Sequence, residues 1–125
     1  MSEIKRICGD LGLPVGDAYT QDWAYELPEE YRTRTWLVRY MSAYLTGNYS
    51  LNAKNELMTL ALDVSNDLLS SGVSPNDEVI TTVLAALFNN RHEHSELVEH
   101  WALEGEPLED CFVLTPQVRK LNAND

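Results

Sequence analysis

The chain has few cysteines, few basic residues and no long apolar run. Its two cysteines, Cys8 and Cys111, lie near opposite ends of the sequence. Isolated cysteines in a reducing compartment are typically small buried apolar side chains, so we predict no disulfide. No stretch approaches the roughly 18 apolar residues that a spanning helix needs, and Met1 to Leu13 lacks the apolar core of a signal peptide. We therefore expect a cytoplasmic protein that makes no membrane contact.

The scarcity of basic residues excludes two classes of ligand. Nine Lys and Arg stand against 20 Asp and Glu, which gives a net charge of −11. Nucleic acids and anionic membranes are bound through clustered Lys and Arg, and here these residues are scattered. Direct binding to nucleic acid is therefore not expected, and a basic protein surface is the natural complement.

The carboxylates fall into two runs that contain no Lys or Arg. Five lie between Asp17 and Glu30, and seven lie between Glu93 and Asp110. Any one of them fits an ordinary solvated helix face, but together they repel one another, which favours a cationic partner. In the first run the acids alternate with large aromatic rings, a mixture typical of interface hot spots. The predicted partner-binding residues are Tyr19, Asp22, Trp23, Tyr25, Glu26, Glu29, Glu30, Glu93, Glu96, Glu99, Glu109 and Asp110.

Helical periodicity and helix start signals recur along most of the chain. At 125 residues the sequence fits a single domain, residues 1–125. The pattern predicts helices over residues 2–11, 28–45, 51–71, 75–89 and 92–103, and a short one from Thr115. The apolar run from Cys111 to Leu114 predicts an extended strap over the core. We expect an all-α, single-domain antiparallel bundle of about five to six helices with an extended C-terminal strap.

One carboxylate lies among apolar residues of the longest predicted helix. Asp63 follows Leu62 and precedes Val64, so part of its side chain should be buried. A buried carboxylate needs a partner. We expect a hydrogen bond to a backbone amide or an ion pair with Arg32, Arg34 or Arg39.

Catalytic signatures are absent. The chain has no glycine-rich phosphate loop and no nucleophile elbow, so we predict that it is not an enzyme and has no catalytic residue, cofactor or metal. The alternative left open is a metal-dependent hydrolase. On a helix beginning at His92, the side chains of His92, Glu96 and His100 would share one face, although the sequence is not H-E-x-x-H.

Several segments together resemble one group of small acidic proteins. The segments are Asp22-Trp23-Ala24-Tyr25-Glu26-Leu27-Pro28-Glu29-Glu30-Tyr31, Asn55-Glu56-Leu57-Met58 with Asn66-Asp67-Leu68-Leu69, Leu108-Glu109-Asp110-Cys111-Phe112, and Thr115-Pro116. In this order they resemble the helical immunity proteins of bacterial polymorphic toxins, of the contact-dependent inhibition and Rhs type.

The resemblance implies a cytosolic antidote. Such a protein would bind a cognate toxin domain, commonly basic and often a nuclease, and would act as a monomer or weak dimer. A different class stays open, namely a phage or mobile-element inhibitor that mimics DNA through its carboxylates. That alternative requires a uniformly negative surface, whereas the predicted central helix is largely uncharged.

Overall fold

A computed structural model describes residues 7, 9–12, 29–47, 49–107, 109 and 111–123. They include a 3-10 helix, Glu29–Tyr31, and five α-helices: α1 Arg34–Thr46, α2 Leu51–Ser70, α3 Glu78–Asn89, α4 Ser95–Ala102 and α5 Thr115–Ala123. Residues 7 and 9–11 are also helical. No strand occurs in these ranges, so the all-α prediction is confirmed. The chain divides into two compact units, Met1–Val64 and Ser65–Asp125, and the division falls within α2. That residues 1–125 are a single domain stays a prediction.

The first unit is built on α1 and the first fourteen residues of α2. Thr33 has an extended backbone, and its hydroxyl accepts the Trp36 N–H at 3.3 Å, so α1 begins after it. Ser50 caps α2 in the same way, accepting the Ala53 N–H at 3.3 Å. Between the helices, a Cβ on Gly47 would clash with the Ala43 carbonyl oxygen. Only glycine therefore fits this turn without a shift.

The core of this unit is apolar with one tyrosine hydroxyl satisfied inside it. The buried side chains are Ile7, Leu37, Tyr40, Met41, Tyr44, Ala53, Leu57, Met58, Leu60, Ala61, Leu62 and Val64. Tyr40 is fully buried, and its hydroxyl donates to the Tyr31 carbonyl at 2.5 Å. This bond fixes the 3-10 turn against α1.

The second unit packs α5 against α3 and α4. Asp77 caps α3, since its carboxylate accepts the Val79 N–H at 3.0 Å. The core contains Leu68, Val79, Ile80, Val83, Leu84, Ala86, Leu87, Leu97, Trp101, Ala102, Leu114 and Val118. The end of α2 contributes a polar contact, because the Asn66 side chain accepts the Leu114 N–H at 3.0 Å.

Three local predictions differ from the structure. The helix expected from Pro28 is interrupted at Thr33, because the capping threonine starts a new helix there. Leu45 continues the helical spacing of Leu37, Met41 and Tyr44, which predicts that it is buried with them, but it is 59% exposed. The segment from Cys111 to Leu114, expected to be an extended strap, instead ends in a turn at Val113 and Leu114 that leads into α5. In this turn the Phe112 carbonyl accepts the Thr115 N–H at 3.1 Å.

Candidate functional site

Of the first acidic run, the structure describes only Glu29 and Glu30. Tyr19, Asp22, Trp23, Tyr25 and Glu26 lie outside the described residues, as does Asp110 of the second run. Glu29 and Glu30 are exposed on the 3-10 helix. Their role in partner binding stays a prediction.

Tyr31, which follows Glu29 and Glu30 in the sequence, belongs to a cluster of rings in the first unit. Tyr31 packs edge-on against Trp36, with 5.1 Å between ring centroids, and the Trp36 and Tyr40 centroids are 5.9 Å apart. The guanidinium of Arg39 lies over the Trp36 ring, 4.6 Å from its centroid. This part of the surface therefore carries charges of both signs.

Asp63 has one of the partners that the sequence predicts. Arg32 donates a hydrogen bond to its carboxylate, and the two side chains are only 10% and 16% exposed. The predicted ion pair is confirmed. It links the turn before α1 to the middle of α2, so it supports the first unit and leaves neither charge on the open surface.

The net charge is concentrated in the second unit. Met1–Val64 contains nine acids and six bases, whereas Ser65–Asp125 contains eleven acids and three bases, so they account for −3 and −8 of the total of −11. We call the exposed glutamates in and around α4 the acidic segment: Glu93, Glu96, Glu99, Glu104, Glu106 and Glu109. Among the described residues, none of these carboxylates forms a salt bridge.

The loop after α4 is held by Arg119 of α5. Its guanidinium donates to the carbonyls of Ala102 at 2.6 Å, Leu103, and Glu106 at 2.9 Å. Leu103 ends the helix with a left-handed backbone, φ 44°. Arginine thus satisfies carbonyls that the end of a helix leaves without partners. The loop carries Glu104 and Glu106 in a defined position.

Aromatic rings and two exposed apolar residues lie beside the acidic segment. Phe112 packs against Trp101 with 4.6 Å between centroids, and against His100 with 5.5 Å. Trp101 is buried, whereas Phe112 and Val113 are 37% and 49% exposed. Phe112 and Val113 are not among the predicted partner-binding residues, although a ring next to acids, the pattern of the first run, also occurs here.

The histidines do not form the metal-binding face that the alternative of a metal-dependent hydrolase requires. Because α4 begins at Ser95, His92 lies in the turn before it and is not in helical register with Glu96 and His100. The described ranges contain no group of three His, Cys, Asp or Glu residues able to hold a metal ion. The helical spacing that suggested a hydrolase is therefore not formed.

His94 differs from the other two histidines because it is buried. Only 1% of its surface is exposed, at the residue before α4. Burial lowers the pKa of the His94 imidazole below its ordinary value, and the nearby carboxylate of Glu93 opposes this shift. The sequence did not indicate this burial, since the neighbouring residues are polar.

Cys111 is a free cysteine and is half-buried, so it is less enclosed than the sequence predicts; Cys8 lies outside the described residues. Its thiol donates to the Pro107 carbonyl at 3.2 Å, and Arg119 donates to its sulfur at 3.6 Å. These contacts tie the start of the turn before α5 to the loop.

A small apolar cleft lies among α3, α4 and α5. Its cavity volume is about 10 Å³, and it is lined by Leu87, Phe88, Arg91, Val98, Val118 and Leu121. Ligand pockets typically enclose roughly 300 to 1,000 Å³. The cleft is therefore too small for a typical substrate, and Arg91 is the one polar side chain among its lining residues. The Arg91 guanidinium lies over the Phe88 ring and donates to the Phe88 carbonyl at 2.9 Å.

Comparison with known proteins gives no family assignment: no family model, no curated protein and no solved structure matches the chain. Across the described residues, every helix is too short or too polar to cross a bilayer.

Proposed function

We propose that this protein is a cytoplasmic immunity protein that binds and neutralises a cognate basic toxin domain. The observation that carries the proposal is the acidic segment, whose exposed carboxylates form no salt bridge with another described residue. Exposed like charges destabilise a folded chain, and a basic partner removes that cost. The resemblance of the sequence to toxin immunity proteins supports the same partner class.

The physical mechanism is electrostatic attraction followed by short-range contact. Complementary charge accelerates the encounter of two proteins, and the rate falls as salt screens the charges. Once bound, the immunity protein would cover the toxin surface that meets its substrate. A toxin acting on nucleic acid has a basic surface for the phosphate backbone, so an acidic antidote would compete for that surface.

The test begins with the purified protein as bait in lysate of its source organism, eluted with a salt gradient. A basic protein recovered in this way is then produced alone and together with the immunity protein. We expect the recovered protein to arrest growth when produced alone and growth to be restored by co-production. A recovered protein that is harmless, or toxicity that co-production does not relieve, would refute the proposal.

Charge-reversed variants identify the acidic run that forms the interface. One variant carries Glu96→Lys and Glu99→Lys, and a second carries Asp22→Lys, Glu29→Lys and Glu30→Lys. The variant at the interface should bind more weakly, with a smaller dependence on salt. Glu78→Lys is the control, because this exposed glutamate of α3 lies outside both runs. Unchanged affinity in both multiple variants would contradict binding through the acids.

A further inference from the structure

Phe112 and Val113 project from the turn that precedes α5. Both are apolar and exposed, at 37% and 49%, although the next residue, Leu114, is fully buried. An exposed apolar pair costs free energy in water, in proportion to the apolar area that could otherwise be buried. Isolated exposed apolar residues are common, so the pair matters only through its surroundings.

The turn is held in place from three sides. The Asn66 side chain accepts the Leu114 N–H at 3.0 Å, Cys111 donates to the Pro107 carbonyl at 3.2 Å, and the Phe112 ring lies on Trp101. A surface that is already ordered loses little conformational entropy when a partner binds. The apolar pair is thus presented in a fixed conformation.

The acidic segment flanks this pair along the chain and on α4. Phe112 contacts His100, and Glu96 lies one helical turn before His100 on the same face of α4. Glu109 precedes Phe112 by three residues, and the backbone of Glu106 is held by Arg119. An apolar centre bordered by acids is complementary to an apolar side chain bordered by cations.

We infer that Phe112 and Val113 form the apolar centre of the partner-binding surface, and that their occupant is a basic protein segment with an apolar side chain between Lys or Arg residues. This inference rests on the proposed function and names the contact surface for it. Apolar contact at the centre slows dissociation, whereas the acids around it set the association rate and its salt dependence.

Two short synthetic peptides test this surface without the toxin. One alternates lysine with leucine, and the other alternates lysine with serine at the same charge. Binding to the full chain is measured by tryptophan fluorescence and by amide chemical shifts. We expect the leucine peptide to bind at least tenfold more tightly and to shift the amides of Phe112, Val113 and His100.

Three variants locate the apolar contribution. Phe112→Ser and Val113→Ser should reduce the preference for the leucine peptide to less than twofold. Leu45→Ser is the matched control, because Leu45 is another exposed apolar side chain, 59% exposed, on α1. It should leave the preference unchanged. Since Phe112 also covers Trp101, Val113→Ser decides the result if Phe112→Ser disturbs the fold.

The outcomes separate this inference from the proposed function. Equal binding of both peptides, or a preference that survives Val113→Ser, would overturn the inference even if a toxin partner is found. If the peptide results hold and the recovered basic protein is harmless, the surface stands and the immunity function is refuted.

Discussion

The Arg32–Asp63 ion pair gives the sharpest stability prediction. Both side chains are more than four-fifths buried, so each charge has lost most of its water. Exposed ion pairs contribute about 0 to 1 kcal/mol, whereas removing one member of a buried pair costs about 3 to 5 kcal/mol because the other charge is left buried. The slight exposure here places the expected cost of Asp63→Asn, or of Arg32→Met, at about 2 to 3 kcal/mol.

A double-mutant cycle in urea at neutral pH tests this value. With a typical slope of about 1 to 3 kcal/mol per molar urea, each single variant should lower the midpoint by roughly 1 M or more. The double variant Arg32→Met with Asp63→Asn should regain about 1 kcal/mol or more relative to either single variant, since no charge remains buried. Arg39→Met is the control; its guanidinium lies over Trp36 at the surface, so its loss should cost less than about 1 kcal/mol. The reasoning would be refuted if either single variant lost less than about 0.5 kcal/mol of unfolding free energy. It would also be refuted if the loss in the double variant equalled the sum of the two single losses.

Three further measurements probe other parts of the fold. Leu60→Ala should cost about 2 to 5 kcal/mol in urea unfolding because Leu60 is fully buried, and Leu45→Ala should cost less than about 0.5 kcal/mol; equal losses would contradict the assigned faces. Arg119→Gln should cost about 2 to 3 kcal/mol and increase amide exchange at Leu103, and unchanged exchange would count against the role of the guanidinium. Burial keeps the pKa of the His94 imidazole lower in the folded protein than in the unfolded chain, where it is near 6.5, so below that pH the unfolded chain binds more protons. The free energy of unfolding should therefore fall on acidification, by at most about 1.4 kcal/mol per pH unit. His94→Gln should reduce that slope, and identical slopes would exclude His94 as its source.

Helix positions were predictable because they depend on local signals. The capping residue Ser50 and the apolar period place α2 within a few residues of its observed bounds, and the start signal from Ser74 to Asp77 does the same for α3. The pairing of Asp63 was also predictable, since a carboxylate inside an apolar stripe requires a cation and few are present. These features follow from chemistry that neighbouring residues determine.

Other features depend on contacts between distant segments. The period alone placed Leu45 inside, but burial depends on which element covers a face. No local pattern indicates that Asn66 binds the Leu114 amide or that His94 is buried, because Asn66 and His94 are polar and have polar neighbours in the sequence. The exposed position of Phe112 likewise results from how Leu114 and Trp101 are packed, which no local pattern encodes.

Arg119 bears on how the protein could change during evolution. Its guanidinium is bound to backbone carbonyls, and every residue type supplies the same carbonyl, so the loop is held regardless of which side chains it carries. Glu104 and Glu106 are therefore exchangeable without disturbing the support of the loop. A lineage that kept an arginine at this position could vary the exposed side chains to follow a diverging partner. Replacement by lysine would preserve the charge but could not span the carbonyls in the same planar geometry.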